Sequence, residues 1–239
     1  MCKILTISEI ENICGKKASS PHARFYRNHS YYFTWVLLQL HLTANQVSAL
    51  GMVLGVSSAC LFVTGNNLLF MIGSILLFFS VMADYCDGEV ARYRKHKNLP
   101  DEPLREYGGF FDSLNHVAIP IVFICLSISF IQYHPLFLAL GFLAALFHLL
   151  NISFFSWAKT VMHILHIDIL NNVNHKNSLP INIGVLYSAL LIPPFLFICS
   201  AIDFIFDVNV TLYLLLFYVL YGMLLLELKL EVREKVKKI

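Results

Sequence analysis

Four ionisable side chains form two pairs at helical spacing in the middle of the sequence. Asp84 and Asp87 are three positions apart, and Asp112 and His116 are four positions apart. Residues at either spacing lie on one face of a helix, so each pair presents its side chains together. Crowded carboxylates repel one another unless a divalent cation neutralises them. Their hard oxygens favour Mg²⁺ or Mn²⁺, one or two ions, beside a phosphate group.

Small residues and one cation accompany the first carboxylate pair. Gly88, Ala91 and Arg92 follow it at spacings that keep them on roughly the same helix face. A glycine there lets a ligand approach the backbone, because no Cβ stands in the way. A single Asp at such a place is as often a helix cap or a surface residue. Three Asp residues with a Gly favour a site for cations and an anionic ligand.

The rest of the chain is apolar enough to place this site at a membrane. Of its 239 residues, 58% are hydrophobic and 13% charged, which disfavours a soluble domain. We predict an all-α integral membrane protein with six transmembrane helices, each of about 20 residues or more. The predicted spans are 45–65, 67–94, 106–132, 135–161, 181–202 and 209–229.

An amphipathic interfacial helix is predicted before the first span. The apolar run 31–42 is too short to cross a bilayer and is rich in aromatic residues, which favour the interface. Thr43 or Asn45 is expected to cap the first span. The predicted organisation is an N-terminal and interfacial region at 1–44, a membrane domain at 45–229 and a tail at 230–239.

The basic residues predict the orientation. Five Lys or Arg lie in 1–44, five in 92–107, two in 159–180 and five in 229–239, which accounts for all 17. The three loops on the opposite side therefore carry none. The positive-inside rule then predicts a multi-pass protein with both termini and the Asp84 to His116 stretch in the cytoplasm.

The site residues resemble the signature of a known family. They read Asp84-x2-Asp87-Gly88-x2-Ala91-Arg92, followed by Gly108-x3-Asp112. This is similar to the motif of the CDP-alcohol phosphotransferases, which are integral membrane enzymes of phospholipid synthesis. The resemblance implies a six-helix fold, a homodimer and a dinuclear metal site that binds the diphosphate of a CDP-linked substrate. No nucleic acid partner is expected.

The resemblance also implies roles for individual residues. Asp84, Asp87 and Asp112 would be metal ligands, Gly88 and Ala91 would pack against the nucleotide, and Arg92 would contact it. Gly108 belongs to the same nucleotide-binding motif. An acceptor alcohol would attack the β-phosphorus, and CMP would leave.

The sequence departs from the family pattern at two points. His116 stands where the family has a fourth Asp, and fifteen residues separate Arg92 from Gly108 where about eight are usual. Three roles for His116 remain open: a general base, a metal ligand, or an interhelical hydrogen-bonded residue in a site that has lost its base. The first two would make His116 catalytic or part of the metal set.

Three functions follow from these alternatives. The first is transfer of a substituted phosphate group from CDP-diacylglycerol to a small polar alcohol. The second is transfer of a headgroup phosphate from a CDP-linked alcohol to a lipid acceptor. The third is an inactive homologue that binds nucleotide or lipid, which His116 motivates.

Polar residues elsewhere are weaker candidates for an acceptor site. His148, Asn151 and Ser153 interrupt the apolar fourth span, and intramembrane polar residues usually face the protein interior. They would line an acceptor cavity or form interhelical hydrogen bonds. The charged loop at 93–107 would either be solvated and held by anionic headgroups or bind an acidic acceptor.

Overall fold

The structure is a computed structural model that describes residues 6–15, 21–99, 108–165 and 192–236. Within these ranges the chain forms eight α-helices and no strand. They are α1 (Ile7–Cys14), α2 (Pro21–Gln39), α3 (Ala44–Val63), α4 (Asn67–His96), α5 (Gly108–Ser129), α6 (Leu136–Leu165), α7 (Ile192–Phe206) and α8 (Val210–Val236). Side chains are described throughout except at 21–23, 108–115, 151–165 and 225–236.

Two described helices, α3 and α4, are long and apolar enough to cross a membrane. Their bounds agree with the predicted spans 45–65 and 67–94 to within two residues. The other predicted spans overlap α5 to α8, whose described apolar stretches are shorter, and 106–107 and 181–191 lie outside the described residues. The all-α prediction is thus confirmed for the described ranges, and the six-span arrangement stays a prediction.

Helix α4 lies at the centre of the described fold. It packs against α1, α2, α3, α5 and α7, while α6 and α8 complete the bundle beyond α5 and α7. The main hydrophobic core is shared by the six helices from α3 through α8, and it is filled by large apolar side chains. They include Phe62, Phe70, Leu77, Phe123, Leu126, Leu196, Leu215 and Tyr218. The first half of the predicted site, from Asp84 to Arg92, therefore lies on the helix that packs against five others.

Small residues on α3 allow close helix packing inside the chain. A Cβ built on Gly55 would lie 2.7 Å from the Cβ of Ala118 on α5. One turn earlier, the carbonyl oxygen of Gly51 accepts a hydrogen bond of 2.8 Å from Ser80 Oγ on α4. A Gly-x3-Gly pair such as Gly51 and Gly55 lets two helices approach closely. The structure uses it within one chain.

Gly55→Ala is expected to destabilise the protein by about 1–3 kcal/mol, because the new methyl group overpacks the α3 and α5 contact. Thermal unfolding in detergent measures the change. Ser57→Ala is the matched control, since Ser57 lies on the same helix and is exposed. Equal melting temperatures for the two variants would contradict the close contact.

The amino-terminal helices also follow from local signals. Thr6 caps α1, and Thr43 caps α3 in a reciprocal capping box with Gln46, as predicted for Thr43. Helix α2 begins ten residues before the predicted interfacial run at 31–42. The turn between α2 and α3 places His41 in the left-handed region, with φ of 59°. After this turn α3 begins, and α2 itself packs against α4.

Candidate functional site

Asp84 and Asp87 lie one turn apart on α4, and both are partly buried. Ser48 of α3 lies against the second carboxylate, with its Oγ 2.5 Å from Asp87 Oδ2 and 3.1 Å from the carbonyl oxygen of Ala44. The single hydroxyl proton goes to the carboxylate, because that contact is shorter and charge-assisted. Ser48 therefore orients Asp87, a role that the sequence reasoning missed.

Arg92 occupies the space beside Gly88. A Cβ built on Gly88 would lie 3.1 Å from Arg92 Nη1, so the guanidinium folds back over the glycine. The missing side chain thus lets the cation lie close to the α4 backbone, next to the carboxylate face. Ala91 is exposed one turn after Asp87. The predicted nucleotide contacts of Gly88, Ala91 and Arg92 stay predictions.

The second half of the predicted site lies on α5. The structure places Gly108 and Asp112 in the first turns of that helix, but their side-chain environment is outside what it describes. His116 is described and exposed. It lies within electrostatic range of His148 on α6, which is 2% exposed and meets Phe123 edge to face. The structure therefore brings together His116 and one of the predicted acceptor-site residues.

The donor chemistry of the described side chains suits a hard divalent cation only in part. Asp84 and Asp87 supply two carboxylates from one helix turn, which fits oxygen-seeking ions such as Mg²⁺ or Mn²⁺. Among the described side chains, no three His, Cys, Asp or Glu residues group closely enough to hold a metal. The predicted set needs Asp112, which is not among them, so the metal site remains a prediction.

Glu89 is a buried charged residue that sequence reasoning missed. It is 0% exposed, and its two carboxylate oxygens accept hydrogen bonds from Ser30 Oγ at 2.6 Å and Thr34 Oγ1 at 2.7 Å. Both hydroxyls come from α2, where they are four residues apart on one face. Ser30 and Thr34 at this spacing, on either side of an aromatic run, were the available signal. The carboxylate fastens α2 to the helix that carries Asp84 and Asp87.

A thiol adds α1 to the same junction. Cys14 Sγ donates a hydrogen bond of 3.2 Å to the backbone oxygen of Glu89. Burial, the largest influence, raises the pKa of Cys14 to about 11. The thiol therefore keeps its proton at neutral pH and serves as a donor. Glu89 thus joins α1, α2 and α4 through three separate contacts.

No family model matches the chain, and no curated protein matches it. The likeness to the CDP-alcohol phosphotransferases is therefore one of motif residues and spacing alone.

Proposed function

We propose that this protein is a membrane enzyme that transfers a substituted phosphate group from a CDP-linked donor to an alcohol and releases CMP. The observation that carries the proposal is the face of α4. It places Asp84 and Asp87 one turn apart, with Gly88 between them and the Arg92 guanidinium. This combination of carboxylates, a bare backbone and a cation suits a diphosphate with its metal ions.

A membrane setting is supported by the outer surface of the described helices. Val53 and Val56 on α3 and Ile72 and Ile75 on α4 are exposed, and they lie in the apolar stretches of the two helices. Exposed apolar surface of this extent marks contact with lipid or another apolar partner. The proposed arrangement is the six-span bundle, with its motif face and termini in the cytoplasm, where nucleotides are available.

Helix α2 has an exposed apolar face and a buried polar one, as expected for a helix that lies at the membrane interface. Its outward face carries exposed Phe25, Tyr32 and Val36, and its inward face carries the hydroxyls of Ser30 and Thr34. Aromatic side chains favour the boundary between headgroups and acyl chains. The proposed position of α2 is therefore flat on the cytoplasmic surface, over α4.

Each site residue has a proposed role in this reaction. Asp84, Asp87 and Asp112 would hold one or two Mg²⁺ or Mn²⁺ ions, whose charge offsets the charge that develops on CMP as it leaves. Ser48 keeps the carboxylate of Asp87 in one orientation. His116, which is exposed, accepts the proton of the attacking hydroxyl.

The substrate arrangement that we favour has CDP-diacylglycerol as donor and a small polar alcohol as acceptor. The test uses purified protein in nanodiscs with Mg²⁺ or Mn²⁺, labelled CDP-diacylglycerol and a panel of alcohols, and it measures CMP. A second arm supplies CDP-linked alcohols with diacylglycerol. CMP in the first arm supports this arrangement, and CMP only in the second arm reverses donor and acceptor. Absence of CMP in both arms contradicts enzymatic function.

His116→Ala is expected to lower the rate of CMP release by about 10²–10⁴-fold, since a general base contributes that much. His116→Asp should keep most of the rate, because a carboxylate can serve as base or ligand. His96→Ala is the control, as His96 is an exposed histidine at the end of α4. An equally active His116→Ala protein would remove His116 from the mechanism.

A further inference from the structure

Two arginines lie at the junction of α2 and α4, both within electrostatic range of Glu89. Arg27 comes from α2 and Arg92 from α4. The Nε atom of each is buried, and neither has a hydrogen-bond partner among the residues that the structure describes. A buried donor on a charged group is costly when it lacks an acceptor. Each of these two donors, on helices that pack together, therefore calls for an acceptor.

Tyr85 locates the two cations relative to the carboxylates. The Cζ atom of Arg27 lies 5.6 Å from the centroid of the Tyr85 ring, and Tyr85 is in electrostatic range of Asp84. Arg92 stands two turns after Tyr85 on the same stripe of α4, with its guanidinium over Gly88. Both guanidiniums thus border the face that carries Asp84.

Glu89 does not use up these cations. Its carboxylate lies in electrostatic range of both arginines, but its two oxygens accept from Ser30 and Thr34 instead of from a guanidinium. The Nε–H donors of Arg27 and Arg92 are therefore left without an acceptor among the described residues. An anionic oxygen is the acceptor that suits such donors best.

The hydrogen bonds from Ser30 and Thr34 to Glu89 also set the position of Arg27. Ser30 follows Arg27 by one turn of α2, and Thr34 follows by two turns, so all three lie on the face that meets α4. Because both hydroxyls are bonded to one buried carboxylate, α2 cannot rotate without losing these bonds. Arg27 is thereby held beside the ring of Tyr85.

We propose that Arg27 and Arg92 together bind a phosphate group at the junction of α2 and α4. Planar guanidiniums suit phosphate oxygens, because each offers parallel N–H donors. The phosphate belongs either to the CDP-linked donor or to an anionic lipid headgroup. The inference deepens the proposed function by making α2 part of the ligand site, and it rests on that function for the choice of CDP.

Binding of CDP with Mn²⁺ to the full-length protein in phosphatidylcholine nanodiscs tests the first source. Arg27→Gln is expected to weaken CDP binding about tenfold, which is the loss of one charge-assisted contact. Arg24→Gln, at an exposed arginine one turn earlier, should stay within about twofold of the parent. Arg27→Lys keeps the positive charge but lacks the planar pair of N–H donors, so its CDP affinity should lie between those of Arg27→Gln and the parent. It also serves as the test variant if Arg27→Gln does not fold.

Nanodiscs that contain phosphatidylglycerol test the second source. If Arg27 binds a headgroup, Arg27→Gln lowers the affinity of the reconstituted protein for phosphatidylglycerol, measured as enrichment of that lipid around the protein in mixed bilayers, and leaves CDP binding unchanged. Equal affinities of the parent, Arg24→Gln and Arg27 variants in both experiments would overturn the proposal. Equal losses at Arg24 and Arg27 would overturn it too, since they would reflect general surface charge. Because neither experiment requires turnover, phosphate binding without CMP release would refute only the proposed reaction.

Discussion

Asp87→Asn is expected to lower metal-dependent CMP release by at least about 10³-fold. Asparagine keeps the shape of the side chain, and its carbonyl oxygen can still accept the hydrogen bond from Ser48 Oγ. What it loses is the negative charge that a divalent cation requires, and metal stabilisation of developing charge amounts to several kcal/mol. The measurement is CMP release over a range of Mn²⁺ concentrations.

Asp207→Asn is the control for this substitution. Asp207 is exposed between α7 and α8, and its φ of 51° is one that asparagine tolerates well. Asp207→Asn should therefore match the parent in rate and in its demand for metal. Full activity of Asp87→Asn, with an unchanged response to Mn²⁺, would refute the role of the α4 carboxylates.

Glu89→Ala is expected to reduce stability by about 1–3 kcal/mol. The substitution leaves the hydroxyl of Thr34 buried without its acceptor, which costs about that much, while Ser30 Oγ can still donate to the carbonyl oxygen of Arg27 at 3.0 Å. Glu89→Gln should cost less than half as much, because the amide fills the same space and can bond both hydroxyls. Thermal unfolding in detergent compares the three proteins.

The loss should be concentrated at α2. Trypsin cleaves after arginine, so detachment of α2 from α4 should speed cleavage at Arg24 and Arg27 in Glu89→Ala. Glu11→Ala, at an exposed glutamate on α1, controls for the removal of a carboxylate. If Glu89→Ala resisted trypsin as well as Glu11→Ala, the buried carboxylate would not be what holds α2.

The two substitutions separate chemistry from architecture. Asp87→Asn changes a charge at the proposed metal site and should leave α2 in place. Glu89→Ala loosens α2 and with it the position of Arg27, so its effect on ligand binding should be indirect. A combined loss of CDP affinity and of trypsin resistance in Glu89→Ala is the expected pattern for a positioning residue.

Local features of this protein could be predicted from sequence. The helical spacing of Asp84 and Asp87, the Thr43 cap and the bounds of α3 and α4 all depend on residues a few positions apart. Hydrophobic length and capping act over one to five turns, so their signals are complete within a short window. The distribution of Lys and Arg among the loops can likewise be counted without knowing how the helices pack.

Contacts between helices could not be predicted in the same way. Glu89 stands next to Gly88 in the motif, yet its partners are 59 and 55 residues away, and Ser48 is 39 residues from Asp87. From the sequence alone, Gly55 could equally have packed against a second copy of the chain. In the structure it packs against Ala118 of α5. Which faces meet depends on the packing of the whole bundle.

The sequence by itself therefore determined an all-helical, strongly apolar chain with a one-turn pair of carboxylates at the end of its second predicted span. Only the tertiary structure decided that α2 packs against that helix, bonded to a buried glutamate and with Arg27 beside the ring of Tyr85. The physical reason is that helix periodicity is a property of neighbouring residues. Burial and hydrogen-bond partners are properties of surfaces that meet only when the chain is folded.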